Sequence, residues 1–258
     1  MKKQNLPGKD MSNQNSQRIE NIYHELLASI MVLSYYTDKN NLRATMIELI
    51  DLIIQELDSD NELFLTINNH RSDEDYIFAH SLNVCLISVR LALRLGFDRE
   101  RVRNLGYLAI THARKDMGYP EDLSDEIRPD NEMDEIIRLA DVYDAITHPP
   151  SYRNAMLPVT TLTEIVHSDS LFDQQLIKLL IKEISFFPKG SWVQLSSREI
   201  GKVVGVNKGS SMHPLIEIHI DQKGNYLKEK KVIDLSKNRF IHVTMPLTVE
   251  EIDKLTYS

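Results

Sequence analysis

The sequence predicts a mainly α-helical protein: a helical bundle followed by a small C-terminal β-barrel-like module. Two observations predict this class. Before Pro188, apolar residues recur at steps of three and four through most of the chain, which is typical of helices with one buried face. After Pro188 the pattern changes to short runs rich in β-branched residues, separated by turns that contain glycine, asparagine and proline.

The N-terminal part divides into a polar tail and two helices. Residues 1–16 are mostly Lys, Asn, Gln and Ser, so we expect a disordered tail there. One apolar stripe predicts a helix over residues 17–37, and a second predicts a helix over 42–57. Because the first stripe needs a partner face, we expect the N-terminal helices to offer a surface for a protein partner or for a homodimer.

The next three helices carry clearer start and stop signals. Residues 75–95 have the strongest helical pattern, and Gly96 follows as a C-terminal stop. Asp98 is placed to cap a helix that runs to about His112. After a proline-containing loop, the apolar spacing predicts another helix over residues 133–144.

The C-terminal module is expected to consist of short strands. Four segments fit the strand pattern: 192–195, 202–206, 215–220 and 231–235. Alternation places Ile216, Ile218 and Ile220 on one side of the third strand. We expect these three residues, with Trp192, Val204 and Val206, to contribute to the interior of the module or to its contact face.

Composition limits the partners of the chain. The 258 residues include 30 Lys and Arg against 38 Asp and Glu, a formal charge of −8, so we expect neither nucleic acid nor a membrane as a partner. The single cysteine, Cys85, cannot form an intramolecular disulfide and fits a small core residue. We find no secretory segment and no apolar run that we expect to span a bilayer, which predicts a cytoplasmic protein.

Three polar side chains lie where the helical periodicity calls for apolar ones: His80, His112 and Asp141. A carboxylate on an apolar stripe is unfavourable unless it is paired, hydrogen-bonded or bound to a metal. Two imidazoles and one carboxylate from separate helices form a ligand set for a divalent transition metal. The alternative is that each histidine is a hydrogen-bonded core residue and that Asp141 pairs with a neighbour such as Arg138.

Three motifs resemble the HD-GYP branch of the HD-domain metal-dependent phosphohydrolases. They are Asp75-Tyr-Ile-Phe-Ala-His80-Ser-Leu-Asn-Val84, Leu139-Ala-Asp141-Val-Tyr-Asp144-Ala-Ile-Thr147 and Ser151-Tyr-Arg153. The resemblance extends over residues 47–247. It implies an HD-type helical bundle that holds iron or manganese ions and acts on cyclic di-GMP. By the same resemblance, His80 and Asp141 match metal ligands, and Arg153 matches an arginine that we expect to bind substrate.

The middle of the family pattern is mostly missing, and the segment 108–123 fits it in two ways. In the first, His112-Ala113 replaces the His-Asp pair, and Asp116 stands in the place of a lysine. In the second, His112 belongs to the stretch that leads to Gly118-Tyr-Pro120, and the His-Asp segment is deleted. In both, His80, His112 and Asp141 are the remaining candidate metal ligands. They suffice for one ion at most, whereas the hydrolysis needs a bridged metal pair.

The resemblance therefore predicts a degenerate HD-GYP-like domain over residues 71–188, after N-terminal helices over 17–70 and before a β module over 189–258. We expect a catalytically impaired binding or regulatory module with one weakly bound Fe or Mn ion or none, and with a cyclic dinucleotide as partner. One alternative is a working metal-dependent phosphodiesterase of cyclic di-GMP or a related nucleotide. The second alternative is a structural helical interaction module. The sequence assigns no catalytic residue.

Overall fold

The chain forms two units, residues 1–155 and 156–258. The computed structural model describes residues 8–35, 38–58, 75–120, 127–148, 164–165, 172–184, 187, 190–207, 210, 212–247 and 251–252. The N-terminal helices share the first unit with the helices that follow them. The division at 155/156 lies before the boundary that we expected at 188/189.

The first unit is helical, which confirms the predicted class of a mainly helical protein with a C-terminal β segment. Its helices are α1 (Gly8–Leu33), α2 (Lys39–Asp58), α3 (Tyr76–Leu95), α4 (Arg99–Ile110) and α5 (Asn131–Thr147). The short helical piece that the pattern suggests near 63–67 falls outside the described residues.

Helix α1 begins at Gly8, within the segment 1–16 that was expected to be disordered. Extending an established helix adds one hydrogen bond for each residue fixed, so polar residues can continue a helix that starts in an amphipathic segment. The apolar stripe of α1 is buried within this chain, at Tyr23, Leu26, Leu27, Ile30 and Leu33. This stripe therefore needs no second copy of the protein to cover it.

Helix α3 is the core of the helical unit. All residues from Ala79 to Ala92 are buried, and Gly96 ends the helix in the left-handed conformation, with φ of 78°. Among the described helices, α3 is the one long and apolar enough to cross a membrane, but 78% of its apolar window is buried inside the protein. That burial is typical of the central helix of a bundle.

Aspartates cap the starts of α4 and α5. Asp98 accepts a hydrogen bond from Arg101 N at the start of α4, and Asp130 accepts one from Met133 N at the start of α5. The backbone leaves α4 at Thr111, so His112 lies in the turn immediately after this helix.

The second unit contains α6 (Gln174–Glu183) and a five-stranded antiparallel sheet. Its strands are β1 (Trp192–Leu195), β2 (Ile200–Gly205), β3 (Leu215–Ile220), β4 (Tyr226–Asp234) and β5 (Val243–Leu247), in the spatial order β4-β3-β2-β1-β5. The predicted barrel is wrong: the sheet is open, and β4 and β5 have no second partner among the described residues. The exposed lysines of β4 and Pro246 in β5 are features that keep edge strands unpaired.

One face of the sheet forms the core of this unit. Ile216, Ile218 and Ile233 are buried there together with residues of β1 and β2. Val203 of β2 is 1% exposed, whereas Val204 and Val206, which we expected in the interior or on the contact face, are half-buried. Alternation explains the difference, because Val204 follows the inward-facing Val203 directly, and Val206 lies beyond the end of β2 at Gly205.

Candidate metal site

The structure brings the side chains of His80, His112 and Asp141 together. His80 lies in the first half of α3, His112 follows the end of α4, and Asp141 lies in the second half of α5. Each offers one ligand atom, and these atoms all lie within 4.8 Å of one another. Within the part of the chain that the structure describes, this is the one such group of three or more His, Cys, Asp or Glu residues.

The separations of the ligand atoms fit a single transition-metal ion. Nε2 of His80 lies 3.1 Å from Oδ1 of Asp141 and 3.3 Å from Nε2 of His112, and the third separation, between His112 and Asp141, is 4.0 Å. With bonds of about 2.1 Å, neighbouring ligands are about 3.0 Å apart in an octahedron and about 3.4 Å apart in a tetrahedron. Two separations fall in or near this range, and a small side-chain movement would shorten the third.

A buried carboxylate fixes the orientation of His80. Nδ1–H of His80 donates to Oδ2 of Asp144 over 2.8 Å, which directs Nε2 toward Asp141 and His112. Burial alone would lower the pKa of His80, but its hydrogen bonds with Asp141 and Asp144 raise this pKa to about 9. A histidine whose second nitrogen donates to a carboxylate is the usual arrangement of a metal ligand.

His112 is held by its own backbone turn. Its Nδ1–H donates to the carbonyl oxygen of Ala109 over 2.6 Å, which leaves Nε2 to face His80. Burial lowers the pKa of His112, so the ring favours the neutral form with a lone pair on Nε2. The hydrogen bond from His80 holds the pKa of Asp141 below its usual value, and this carboxylate is ionised at neutral pH. A metal ion would have to displace the proton on Nε2 of His80, after which two neutral nitrogens and one anionic oxygen would face it, a set that suits a divalent transition metal.

Asp144 is the centre of the hydrogen bonds behind the ligands. It is 0% exposed and accepts from His80 Nδ1, from Asn83 Nδ2 over 2.9 Å and from His148 Nδ1 over 2.9 Å. Burial raises the pKa of Asp144, but the hydrogen bonds from His148 and His80 outweigh burial and bring this pKa below its usual value. On the opposite side of the Asn83 amide, Tyr23 donates its hydroxyl to Oδ1 over 2.9 Å.

The sequence did not identify Asp144, Asn83, Tyr23 or His148 as part of this site. A usable signal was present for Asp144, because it continues at a four-residue step the buried stripe of α5 and precedes His148 by four residues. Tyr23 gave no signal beyond its position on an apolar stripe, since its contact with Asn83 joins two distant parts of the chain.

The structure does not test the other predictions about site residues. Arg153, expected to bind substrate, lies outside the described residues. Ala113 is half-buried and Asp116 is exposed, in the turn that follows α4. Both alternatives for the segment 108–123 place His112 beside His80 and Asp141.

Known proteins resemble both units of the chain. Residues 192–255 match the family described as "KOW domain associated with HD domain". "Cyclic di-GMP phosphodiesterase PA4108" of Pseudomonas aeruginosa is 20% identical over 244 residues, which cover 74% of this chain and 59% of that protein. "Cyclic di-GMP phosphodiesterase PdeB" of Borreliella burgdorferi is 29% identical over 141 residues, which cover 54% of this chain and 34% of that protein. These matches support a relationship to the HD-domain family.

The matched region is only part of each relative. The matches span 59% and 34% of the length of these two relatives. The rest of each relative has no counterpart in the matched region. No solved structure is significantly similar to the chain.

Proposed function

We propose that this protein is a degenerate HD-GYP-like domain of cyclic di-GMP signalling that binds one divalent iron or manganese ion and acts as a catalytically impaired binding or regulatory module. The convergence of His80, His112 and Asp141 within 4.8 Å carries the proposal. The similarity to two proteins named as cyclic di-GMP phosphodiesterases supports the ligand class. A cytoplasmic location and a protein partner or homodimer belong to the same proposal; because the apolar stripe of α1 is covered within the chain, such a partner would contact another face of the N-terminal helices.

The residues of the site have separate tasks in this proposal. Nε2 of His80, Nε2 of His112 and Oδ1 of Asp141 would hold the ion, and Asp144 keeps Nδ1 of His80 protonated so that its other nitrogen faces the site. A bound ion would supply positive charge for phosphate oxygens. Arg153 would add a second positive charge for a phosphate of the dinucleotide.

Impaired catalysis follows from the number of ligands. Efficient hydrolysis by a two-metal site needs ions about 3.5–4 Å apart that stabilise both the attacking and the leaving oxygen. The described residues provide one cluster of three ligands. In the first of the two ways of matching the segment 108–123, which we call the first alignment, Ala113 stands where the family pattern has an aspartate. In that alignment Asp116 also adds a negative charge where the family has a lysine, which would weaken the binding of an anionic ligand.

A working metal-dependent phosphodiesterase is the second candidate function. The observation that favours it is the set of hydrogen bonds around Asp144, which orients His80 as a functional metal ligand requires. A residual one-metal activity on cyclic di-GMP or a related nucleotide would need no further ligand than the three that converge.

Metal analysis of the full chain tests the proposal. We expect protein purified without chelator to bind about one equivalent of manganese or iron, and Asp141→Asn to weaken manganese binding at least about tenfold. Asp134→Asn is the matched control, because Asp134 lies two turns earlier on α5 and is similarly exposed, with 57% of its side chain accessible against 44% for Asp141. This control should retain wild-type affinity.

Measurements with cyclic di-GMP distinguish the remaining candidate functions. A rise in melting temperature on adding cyclic di-GMP together with manganese, without its hydrolysis, supports the binding module. Turnover that Asp141→Asn abolishes would replace our proposal with the phosphodiesterase. Absence of metal binding in the wild type, or equal affinity in Asp141→Asn, would contradict the metal site and favour a structural interaction module.

A further inference from the structure

A continuous series of buried hydrogen bonds joins the N-terminal helix to the candidate metal site. Tyr23 of α1 donates to Oδ1 of Asn83, Nδ2 of Asn83 donates to Oδ1 of Asp144, and Oδ2 of Asp144 accepts from Nδ1 of His80. The three bonds measure 2.9, 2.9 and 2.8 Å. None of the four residues is more than 7% exposed.

We infer that Tyr23 is a positioning residue for the metal ligand His80, so that α1 takes part in setting the metal affinity of the site. This inference rests on the proposed metal-binding function. Tyr23 does not touch the ligand atoms and acts through Asn83 and Asp144. Nothing in the motifs that carry the family resemblance includes α1, which precedes all of them in the chain.

The direction of each hydrogen bond is determined by chemistry. The ionised carboxylate of Asp144 can only accept, so the amide of Asn83 must turn its NH₂ group toward Asp144 and its oxygen toward Tyr23. Burial raises the pKa of Tyr23 far above neutral pH, so the hydroxyl stays protonated and can donate. The donor from α1 therefore selects the amide orientation that serves Asp144.

Removing the hydroxyl of Tyr23 should loosen this arrangement. The oxygen of Asn83 would be left buried without its donor, and an unsatisfied buried acceptor favours rearrangement of its side chain. A displaced Asn83 no longer fixes Oδ1 of Asp144, and the partner of His80 Nδ1 gains freedom to rotate. The consequence reaches the metal as a less well aligned Nε2 of His80.

A second buried tyrosine provides a matched control. Tyr119 is 4% exposed, and its hydroxyl donates over 2.7 Å to the backbone oxygen of Ile30, also in α1. Tyr119→Phe removes a hydroxyl of the same chemistry that binds the same helix but is not bonded to Asn83 or Asp144. A general loosening of α1 would affect both variants, whereas the positioning role predicts an effect of Tyr23→Phe alone.

The experiment compares the metal-binding properties of these variants in the full chain. We expect Tyr23→Phe to weaken manganese binding about fivefold in calorimetry, less than the 10–100-fold typical of a direct partner of a ligand. It should also change the visible absorption spectrum of the cobalt-loaded protein, which reports ligand geometry. Tyr119→Phe should stay within about twofold of the wild type and keep its spectrum. Asn83→Leu should weaken binding, and adding Tyr23→Phe to it should have no further effect, because both act through one contact.

An NMR measurement on metal-free protein separates this inference from the proposed function. The Nδ1–H proton of His80 should be shifted or broadened in Tyr23→Phe and unchanged in Tyr119→Phe. Wild-type affinity and spectrum in Tyr23→Phe, or equal weakening in both tyrosine variants, would overturn the positioning role while leaving the metal site intact. If the wild type binds no metal, the proposed function fails, and an unshifted His80 signal then overturns this inference as well.

Discussion

Replacing Asp144 with alanine should strongly destabilise the helical unit. Asp144 is fully buried and accepts hydrogen bonds from His80, Asn83 and His148. Asp144→Ala removes the carboxylate that accepts from Nδ1 of His80 and from Nδ2 of Asn83, two donors that lie inside the protein. The ring of His80 also loses one of the two carboxylates that stabilise its protonated form.

The expected loss of unfolding free energy follows from breaking a buried ionic network. Removing one partner of a buried ionic network typically costs about 3–5 kcal/mol of unfolding free energy. The loss is not the sum of three independent hydrogen bonds, since relief of the buried negative charge offsets part of it. For a unit of roughly 150 residues, each kcal/mol lowers the melting temperature by about 2–4 °C, so we expect a drop of about 10 °C.

Thermal unfolding of metal-free protein, followed by far-UV circular dichroism, measures the change. Asp134→Ala is the control, because this carboxylate is 57% exposed and its nearest cation, Arg138, is 3.9 Å away. Surface ion pairs of this kind contribute less than about 1 kcal/mol. A melting temperature of Asp144→Ala within about 2 °C of the Asp134→Ala value would refute the reasoning that Asp144 anchors a buried network.

Two further predictions concern the core. Cys85 is fully buried and burial raises the pKa of its thiol to about 12, so a thiol reagent at pH 7 should label it only after denaturation; rapid labelling of the native protein would contradict its position in α3. In the sheet, a Cβ added at Gly201 would lie 2.7 Å from the backbone oxygen of Glu217, whereas one at Gly205 would meet nothing closer than 3.7 Å. Gly201→Ala should therefore lower the free energy of unfolding, measured by chemical denaturation, by about 2 kcal/mol or more, while Gly205→Ala stays near the wild type. Equal stabilities of the two variants would show that the strands separate easily at Gly201.

The helices could be predicted from the sequence because their signals are local. The end of α3 at Gly96 and the cap of α4 at Asp98, both predicted, depend on residues within one turn of the helix end. Strands β1 and β3 have the predicted bounds for the same reason, since alternation and flanking turns are visible in a short window. The start of α1 was missed because composition gives no measure of how far an established helix extends.

The arrangement of the sheet could not be predicted in this way. The sheet stays open because β5 pairs with β1, far earlier in the chain, and not with β4, its neighbour in sequence. No local pattern shows this choice, and β5 itself contains Pro246, which weakens the strand signal. The bulge in β2 likewise depends on its register with β3, which no short window of sequence shows. Local patterns therefore identified the elements but not their partners.

The two histidines of the site differ in the same way, because one ring is oriented by a residue close in sequence and the other by distant residues. His112 is oriented by a carbonyl three residues earlier, so its geometry depends on the turn after α4. His80 is oriented through Asp144 and Asn83, and ultimately by Tyr23, sixty positions from Asn83 in sequence. Substitutions far from the site should accordingly disturb His80 and leave the orientation of His112 unchanged. Periodicity could name both histidines as inward-facing, but only the packed bundle supplies the contacts that direct His80 toward the other two ligands.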